Sequence, residues 1–504
     1  MKIGLRGRIV TMDDRFHVLD DGVVYVDGRT IAAVAPAGAA PPAGFEAVKP
    51  VTTDGTIFPG LIDLHNHLAY DALPLWQVDK KYGNRDTWAG TSSYRAQVTG
   101  PMKVLGSSPN VLPALIRYVE CKCLLGGVTT SQGIALFSNQ GIRRYYRGLV
   151  RNVEATADAD LPEALARIAD VDKADAAAFS ARLAKATCLL LHLSEGTDAA
   201  ARAHFLALKL GRGWAISRAL AGIHCVALER EDFDVLAGHG AAMVWSPLSN
   251  LLLYGATADV KAARAAGVPM ALGADWSYSG SKSLLHELAV ARAVADGAIA
   301  DRELVAMATR QAAKILGWDG ALGTLAAGKR ADLIVVAGSG GDPYAALLEA
   351  GETQIELVLI DGALRSGTAA LARALGAKGE IVKVGRQHRT VALSDAAADP
   401  AVAALTLAKA TEILADALHR LPALAAELEK PVHRAMGPIA DGEVWYLALD
   451  ELDAGPVDRA PGPPLSTIVK PIALDPITVA DDPTYRGRLA KQINLPDALK
   501  QAFR

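Results

Sequence analysis

The stretch FPGLIDLHNHLAY, residues 58–70, places two histidines, His65 and His67, at the end of an apolar run that follows a Pro-Gly break. On a strand, residues i and i+2 project from the same side, so this pair could reach one metal ion from a strand end. Taken alone, H-x-H also describes an exposed strand terminus, because histidine is common on surfaces. The rest of the chain decides between the two.

Upstream, residues 2–36 read as short β-branched runs separated by Asp-Gly turns, the pattern of a small antiparallel sheet. Downstream of Pro59-Gly60, apolar runs alternate with helical segments, which is a β/α pattern. Candidate parallel strands lie at residues 61–65, 128–132, 149–153, 187–193, 222–226, 242–246 and 269–275. A closed β/α barrel needs eight. The eighth is expected between about residues 155 and 186, short or degenerate, because that region looks helical throughout. The segments ALGTLAAGKRADLIVVAG (321–338) and IELVLIDGALRSG (355–367) return to strand-and-turn character like the opening. The fold expected is therefore α/β, a TIM-like (β/α)8 barrel over residues 60–317, distorted where its eighth strand is weak. Residues 1–59 and 318–367 would form a small composite β-sandwich domain. Residues 368–504 would be a C-terminal extension, Ala/Leu-rich and helical over 399–430 and Pro-rich over 456–476.

With 504 residues and 51% hydrophobic content, the chain has room for two or three domains. Its 52 Lys+Arg against 55 Asp+Glu leave a net charge of -3 with no long run of one sign, which argues against nucleic-acid and membrane-surface partners and for a small-molecule partner. Residues near Met1 lack the order of a signal peptide, and no segment offers about 18 unbroken apolar residues, so a cytoplasmic protein is expected. Four cysteines are too few for a disulfide framework at this size. Cys121 and Cys123 form a C-x-C in a helical segment, where i and i+2 point apart, and read as packing residues.

Three later segments change the weight given to His65 and His67. CLLLHLSEG (188–196) ends a strand with His192 and puts Glu195 in the following loop; AGIHCV (221–226) ends another with His224; GVPMALGADWS (267–277) ends the last with Asp275. Catalytic groups of a β/α barrel gather at these C-terminal strand ends. His65, His67, His192 and Asp275 make a mixed nitrogen and oxygen set suited to one divalent ion, Zn2+ before Fe2+ or Mn2+, with a position left for water. Such an ion lowers the pKa of its water toward about 7.

The ordered combination PGLIDLHNH, GVTTS, HLSE, a strand-ending His224, SPLSN, ALGAD and GTLAAGKRADLIV resembles the amidohydrolase superfamily, in its mononuclear branch of aromatic-base deaminases and triazine hydrolases. The resemblance covers roughly residues 1–367. It implies that His65, His67, His192 and Asp275 are the metal ligands, that Glu195 shuttles a proton to the leaving group, and that His224 holds or polarises the attacked centre. Asp275 would take the proton as hydroxide attacks an electrophilic carbon. The activity implied is hydrolysis of a carbon–nitrogen bond other than a peptide bond, foremost deamination of a ring-bearing amine or amidine. Amide, carbamoyl or halide hydrolysis by the same site, or a non-catalytic scaffold barrel, are the alternatives. A homodimer or higher homo-oligomer is expected, as relatives often form one and symmetric dimers are the commonest assemblies.

Asn250 in SPLSN either contacts substrate or pins its own loop through side-chain hydrogen bonds. Residues 73–88, with Trp76, Tyr82, Arg85 and Trp88, follow the first strand as a lid over the mouth. Trp76, Trp88, Asn250 and Trp276 are the substrate-binding candidates, and Trp245 and Tyr254 add aromatic surface suited to a planar substrate.

Overall fold

Both flanks of the chain meet in one nine-stranded sheet. Its order is Glu380–Val384, Gln387–Val391, Ala363–Gly367, Ile355–Ile360, Leu333–Ala337, Val51–Pro59, Lys2–Val10, Val18–Asp27 and Thr30–Pro36. The two flanks join where Val51–Pro59 runs antiparallel to Leu333–Ala337, with Ile57 opposite Val335. Period-two alternation sends Leu5, Ile9, Val24, Val26, Ile57, Leu333, Val335 and Leu357 into a shared core. The hairpin at Asp361-Gly362 has both residues at positive φ, 49° and 71°, the twist a two-residue turn requires. A Cβ at Gly362 would lie 2.0 Å from the Gly28 carbonyl oxygen, so only glycine fits there. The sheet continues beyond residue 367, since the hairpin of Glu380–Val384 and Gln387–Val391 adds its last two strands.

The computed structural model describes residues 2–108, 110–133, 136–138, 148–395, 398–430, 447–449 and 463–503. Between the flanks the described residues form eight parallel strands: β1 (Leu61–Asp63), β2 (Val128–Ser131), β3 (Arg151–Asn152), β4 (Leu165–Arg167), β5 (Leu189–Leu193), β6 (Leu220–His224), β7 (Ala242–Trp245) and β8 (Met270–Leu272). They form a three-stranded sheet, β1–β2–β3, and a five-stranded sheet, β4–β5–β6–β7–β8. The sheets' edges touch through Ala164 N to Val153 O at 2.8 Å on one side, and on the other through Leu64 N to Leu272 O at 3.3 Å with further backbone bonds beyond the strand ends. The ring is thus a TIM-like arrangement in two arcs. Strand β4 falls in the interval where an eighth strand was expected; three residues are too few to show alternation, and so it could not be read from the sequence. Leu190 faces the inner core with Ile62, Val153, Ile223, Val244 and Ala271, while Leu189 and Leu191 belong to the outer core. By the same alternation His192, two residues past Leu190, is carried to the inner side. Cys121 and Cys123 are buried free thiols on the helix Leu112–Leu125, and no disulfide joins the four cysteines.

The Ala/Leu-rich segment forms the helices Leu407–His419 and Leu421–Leu428. Of the Pro-rich stretch, residues 456–462 lie outside the described residues. From residue 463 the chain returns to the mouth of the ring. There Asp475, fully buried, receives Lys122 Nζ at 2.8 Å and Lys282 Nζ at 2.7 Å. Lys122 Nζ also donates to Asp71 O (2.7 Å), and Asp475 N to Ala72 O (3.0 Å). Further on, Gln492 Nε2 donates to Trp76 O (2.7 Å) while its Oε1 accepts from Val78 N (3.2 Å). Removing one partner from such a buried set strands the remaining charge, at a cost of about 3–5 kcal/mol. The tail therefore fastens residues 71–78 against the ring.

Glu287, on the helix Leu284–Ala295, is wholly buried and accepts from Leu248 N (3.1 Å) and the Ser281 hydroxyl. Burial pushes its carboxyl up to about 8, so the folded protein holds this proton through neutral pH, whereas the unfolded chain releases it near 4.5. The resulting stability is full below the unfolded pKa and is lost as pH rises toward 8, at up to about 1.4 kcal/mol per pH unit. Glu287→Gln mimics the protonated form. Its denaturation midpoint should gain on the wild type between pH 5 and 8; a constant gap would refute the assignment.

Candidate active site

His65 and His67 follow β1, His192 sits in β5, His224 ends β6 and Asp275 follows β8. The ring brings all five together. Asp275 Oδ1 lies 3.2 Å from His65 Nε2 and 3.5 Å from His67 Nε2. His192 Nε2 is 3.3 Å from His67 Nε2, and the rings of His65 and His224 are 5.1 Å apart. His67, at 8% exposure, is the most open of the five. The backbone is strained where the side chains leave the strands: Ser194, His224, Cys225 and Asp275 have φ of 52°, 68°, 53° and 65°. Non-glycine residues pay about 1–3 kcal/mol for such conformations and keep them only where surroundings enforce them. For Asp275 the enforcement is visible, since its N donates to His65 O (2.8 Å) and its O accepts from His67 N (2.6 Å).

Neighbouring amides fix the tautomers of two histidines. Gln132 Nε2 donates to Glu154 Oε1 (3.1 Å), which leaves Gln132 Oε1 to accept from Asn66 N (3.0 Å) and His65 Nδ1 (3.1 Å). His65 therefore carries its proton on Nδ1 and turns the Nε2 lone pair to the cluster. In the same way Asn250 Nδ2 donates to Thr257 Oγ1 (3.1 Å), so Asn250 Oδ1 accepts from His224 Nδ1 (2.9 Å), and His224 Nε2 faces the cluster. Asp63, the last residue of β1, accepts from Ala274 N (3.1 Å), His65 N (3.4 Å) and Asn66 Nδ2 (3.1 Å), tying β1 to the end of β8. Burial pushes its carboxyl up to about 7.

Burial, followed by the charges of His65, His67 and His224, holds the His192 imidazole well below its ordinary value. Burial also lowers His224, against the opposing charges of Glu195 and Asp275. For Asp275 burial acts upward, but the histidines packed around it, His65 first, outweigh burial and hold the carboxyl well below the usual carboxylate range. The lowered imidazoles of His192 and His224 beside an ionised carboxylate are protonation states a cation site requires. The donor atoms of His65, His67 and Asp275, and those of His65, His192 and His224, lie within 4.8 Å of one another. His65 Nε2 is buried without a hydrogen-bond partner. An orphaned lone pair beside a carboxylate and further imidazoles fits a divalent ion.

Glu195, in the loop after β5, lies at the cluster's edge with Oε2 3.7 Å from His224 Nε2 and 4.0 Å from Arg85 Nη1. Its Oε1 accepts from the Tyr254 hydroxyl at 2.6 Å, and Trp88 Nε1 donates to that hydroxyl at 2.8 Å. Trp276 stands beside His67 with ring centres 5.4 Å apart, and Tyr70 and Trp88 flank it. Of the residues expected to meet substrate, the fold thus brings Trp88, Asn250 and Trp276 to the cluster. Trp76 stands one layer out, stacked on Tyr278 at 5.5 Å. Trp245 is fully buried, with its indole N–H on Thr257 Oγ1. Gln132, Asp63, Thr257 and Arg85 were not picked out as site residues by sequence; the nearest signal was the position of Asp63 and Gln132 at a strand end and of Arg85 in the segment over the mouth. A cavity of ≈ 750 Å³ beside the helix Leu407–His419 shares no residue with the cluster.

A ring of parallel strands with candidate metal ligands gathered at the C-terminal strand ends is the arrangement in which β/α-barrel enzymes carry their active sites. Residues 181–379 match the Amidohydrolase family. It is 29% identical over 363 residues to a 5-methylthioadenosine/S-adenosylhomocysteine deaminase of Moorella thermoacetica, covering 63% of this chain and 82% of the relative. The enzyme of the same name from Symbiobacterium thermophilum is 26% identical over 386 residues, covering 66% and 84%. Among solved structures, the atrazine chlorohydrolase of Arthrobacter aurescens complexed with zinc aligns with a TM-score of 0.58 at 22% identity, covering 72% of this chain and 95% of that one. An adenosine deaminase from Xanthomonas campestris with bound zinc aligns at 0.52 and 18% identity, covering 72% and 92%. These structural likenesses establish the fold.

Gln132→Ala leaves the His65 Nδ1 proton without its acceptor. It should weaken metal affinity about 10- to 100-fold, as loss of a ligand's supporting hydrogen bond does. Competition against a chromophoric chelator measures this, and unchanged affinity would remove Gln132 from the site.

Proposed function

We propose that this protein is a metal-dependent hydrolase that deaminates a ring-bearing amine or amidine. The observation that carries the reading is Glu195, a buried carboxylate set between His224 Nε2 and Arg85 at the edge of the histidine and aspartate cluster. A divalent ion held by His65, His67, His192 and Asp275, zinc before iron or manganese, would supply Lewis acidity and make water a nucleophile at neutral pH.

The chain's own groups account for the remaining steps. Asp275, ionised, takes a proton from the attacking water as the water oxygen bonds to the ring carbon. His224 Nε2, aimed inward by Asn250, holds the attacking oxygen against the ring carbon while the displaced electron pair moves onto the ring nitrogen, from which it returns as the amine departs. Glu195, protonated, gives its proton to the nitrogen as the carbon–nitrogen bond breaks, and ammonia leaves. Trp276, Trp88 and Tyr70 wall the site with apolar rings, which favours a planar substrate and keeps bulk water out. The deaminase names of the curated relatives support the same chemistry.

The ionic balance supports a small-molecule substrate, and no helix among the described residues is long and apolar enough to cross a membrane. A homodimer or larger homo-oligomer completes the reading, and light scattering that finds a monomer at working concentration would remove that part.

Glu195→Gln should lower kcat by about 10²- to 10⁴-fold while the metal content stays that of the wild type. Ammonia release across a panel of aminated heterocycles is the assay. Full turnover by Glu195→Gln would end the role given to Glu195; halide or carbamoyl release without ammonia would replace the reaction.

A further inference from the structure

The helix Pro247–Tyr254 begins directly after β7, and two of its side chains, Asn250 and Tyr254, stand one turn apart. Positions i and i+4 share a helix face. Asn250 reaches His224 and Tyr254 reaches Glu195, so one face of one short helix touches both groups assigned to proton chemistry.

We propose that Tyr254 is a positioning residue that decides which oxygen of Glu195 carries the proton, with Trp88 setting the direction of the Tyr254 hydroxyl. The inference rests on the role given above to Glu195. An indole N–H can only donate. Trp88 Nε1, 2.8 Å from the Tyr254 oxygen, therefore occupies one of its lone pairs, and the single hydroxyl hydrogen of Tyr254 points to Glu195 Oε1 at 2.6 Å. The order Trp88 to Tyr254 to Glu195 cannot be reversed by turning the hydroxyl. With Oε1 committed as an acceptor, a protonated Glu195 holds its hydrogen on Oε2. That is the oxygen facing His224 Nε2 at 3.7 Å. Arg85 does not replace Tyr254, because its guanidinium is anchored on Ile168 O (2.7 Å) and Asp170 Oδ2 (2.6 Å).

Without the Tyr254 hydroxyl, Glu195 loses the bond that holds its plane, and its proton can occupy either oxygen. Ground-state binding of a substrate ring does not use this bond, so the loss falls on turnover.

Tyr254→Phe removes only the oxygen and keeps the ring. It should lower kcat about 10- to 100-fold, the range for losing a hydrogen bond to a charged group, with KM within about twofold and bound metal unchanged. Trp88→Phe should give a smaller loss in the same direction, and the double variant should match Tyr254→Phe alone, because the indole acts through the hydroxyl. Independent structural damage would instead multiply. A readout free of turnover is the infrared difference spectrum of metal-loaded protein: Tyr254→Phe should shift a carboxyl band, and the shift should vanish when the same substitution is made in Glu195→Gln. An unchanged kcat, a rise confined to KM, multiplying losses, or a spectrum without that band overturns the proposal. Failure of the underlying reading is distinct: Glu195→Gln would then keep wild-type turnover, or the wild type would release no ammonia, while the infrared comparison still tests the bond.

Discussion

Two backbone hydrogen bonds, Asp275 N to His65 O and His67 N to Asp275 O, join β1 to the end of β8 at the point where three of the proposed ligands leave the strands. The functional geometry depends on this seam. It forces Asp275 into the left-handed region and sets its carboxylate between two imidazoles. A side chain held by its own backbone pairing loses little further freedom when it binds, which is the physical content of preorganisation. The buried Asp63, bridging Ala274 and Asn66 beneath the seam, reinforces it from the interior.

Around this seam the protein arranges acceptors and donors so that each functional group has one available orientation. Gln132 commits His65, Asn250 commits His224, and Thr257 commits Asn250. The helix Pro247–Tyr254 is in turn held at its start by Glu287, whose carboxyl accepts from Leu248 N. Each of these bonds lies in a dry interior, where a misdirected partner costs more than it would in water.

The clustering of His65, His67, His192 and Asp275, the proposed ligands, was legible because each ends or closely follows an apolar run, and a parallel barrel places such positions at one mouth. The family resemblance pointed the same way, and the ring with its composite sheet followed from the same alternation. Strand β4 escaped notice, as three residues cannot display a period. The supporting residues escaped for another reason: Gln132 meets His65 across 67 positions and Tyr254 meets Glu195 across 59, and a single sequence carries no record of such pairings. Trp76 was legible as part of a segment over the mouth, but its distance from the cluster is set by Tyr278 and by the returning tail, neither of which the local pattern reveals.

That tail has a consequence for how the molecule is made. Gln492 closes onto Trp76 across 416 positions, and Asp475 onto Lys122 across 353. Ribosomes deliver a protein from its N-terminus, at about 5–20 residues per second. A nascent chain therefore presents residues 71–78 to the surrounding solution for tens of seconds before the segment that fastens them emerges, so this closure is ordered in time by the genetic message itself.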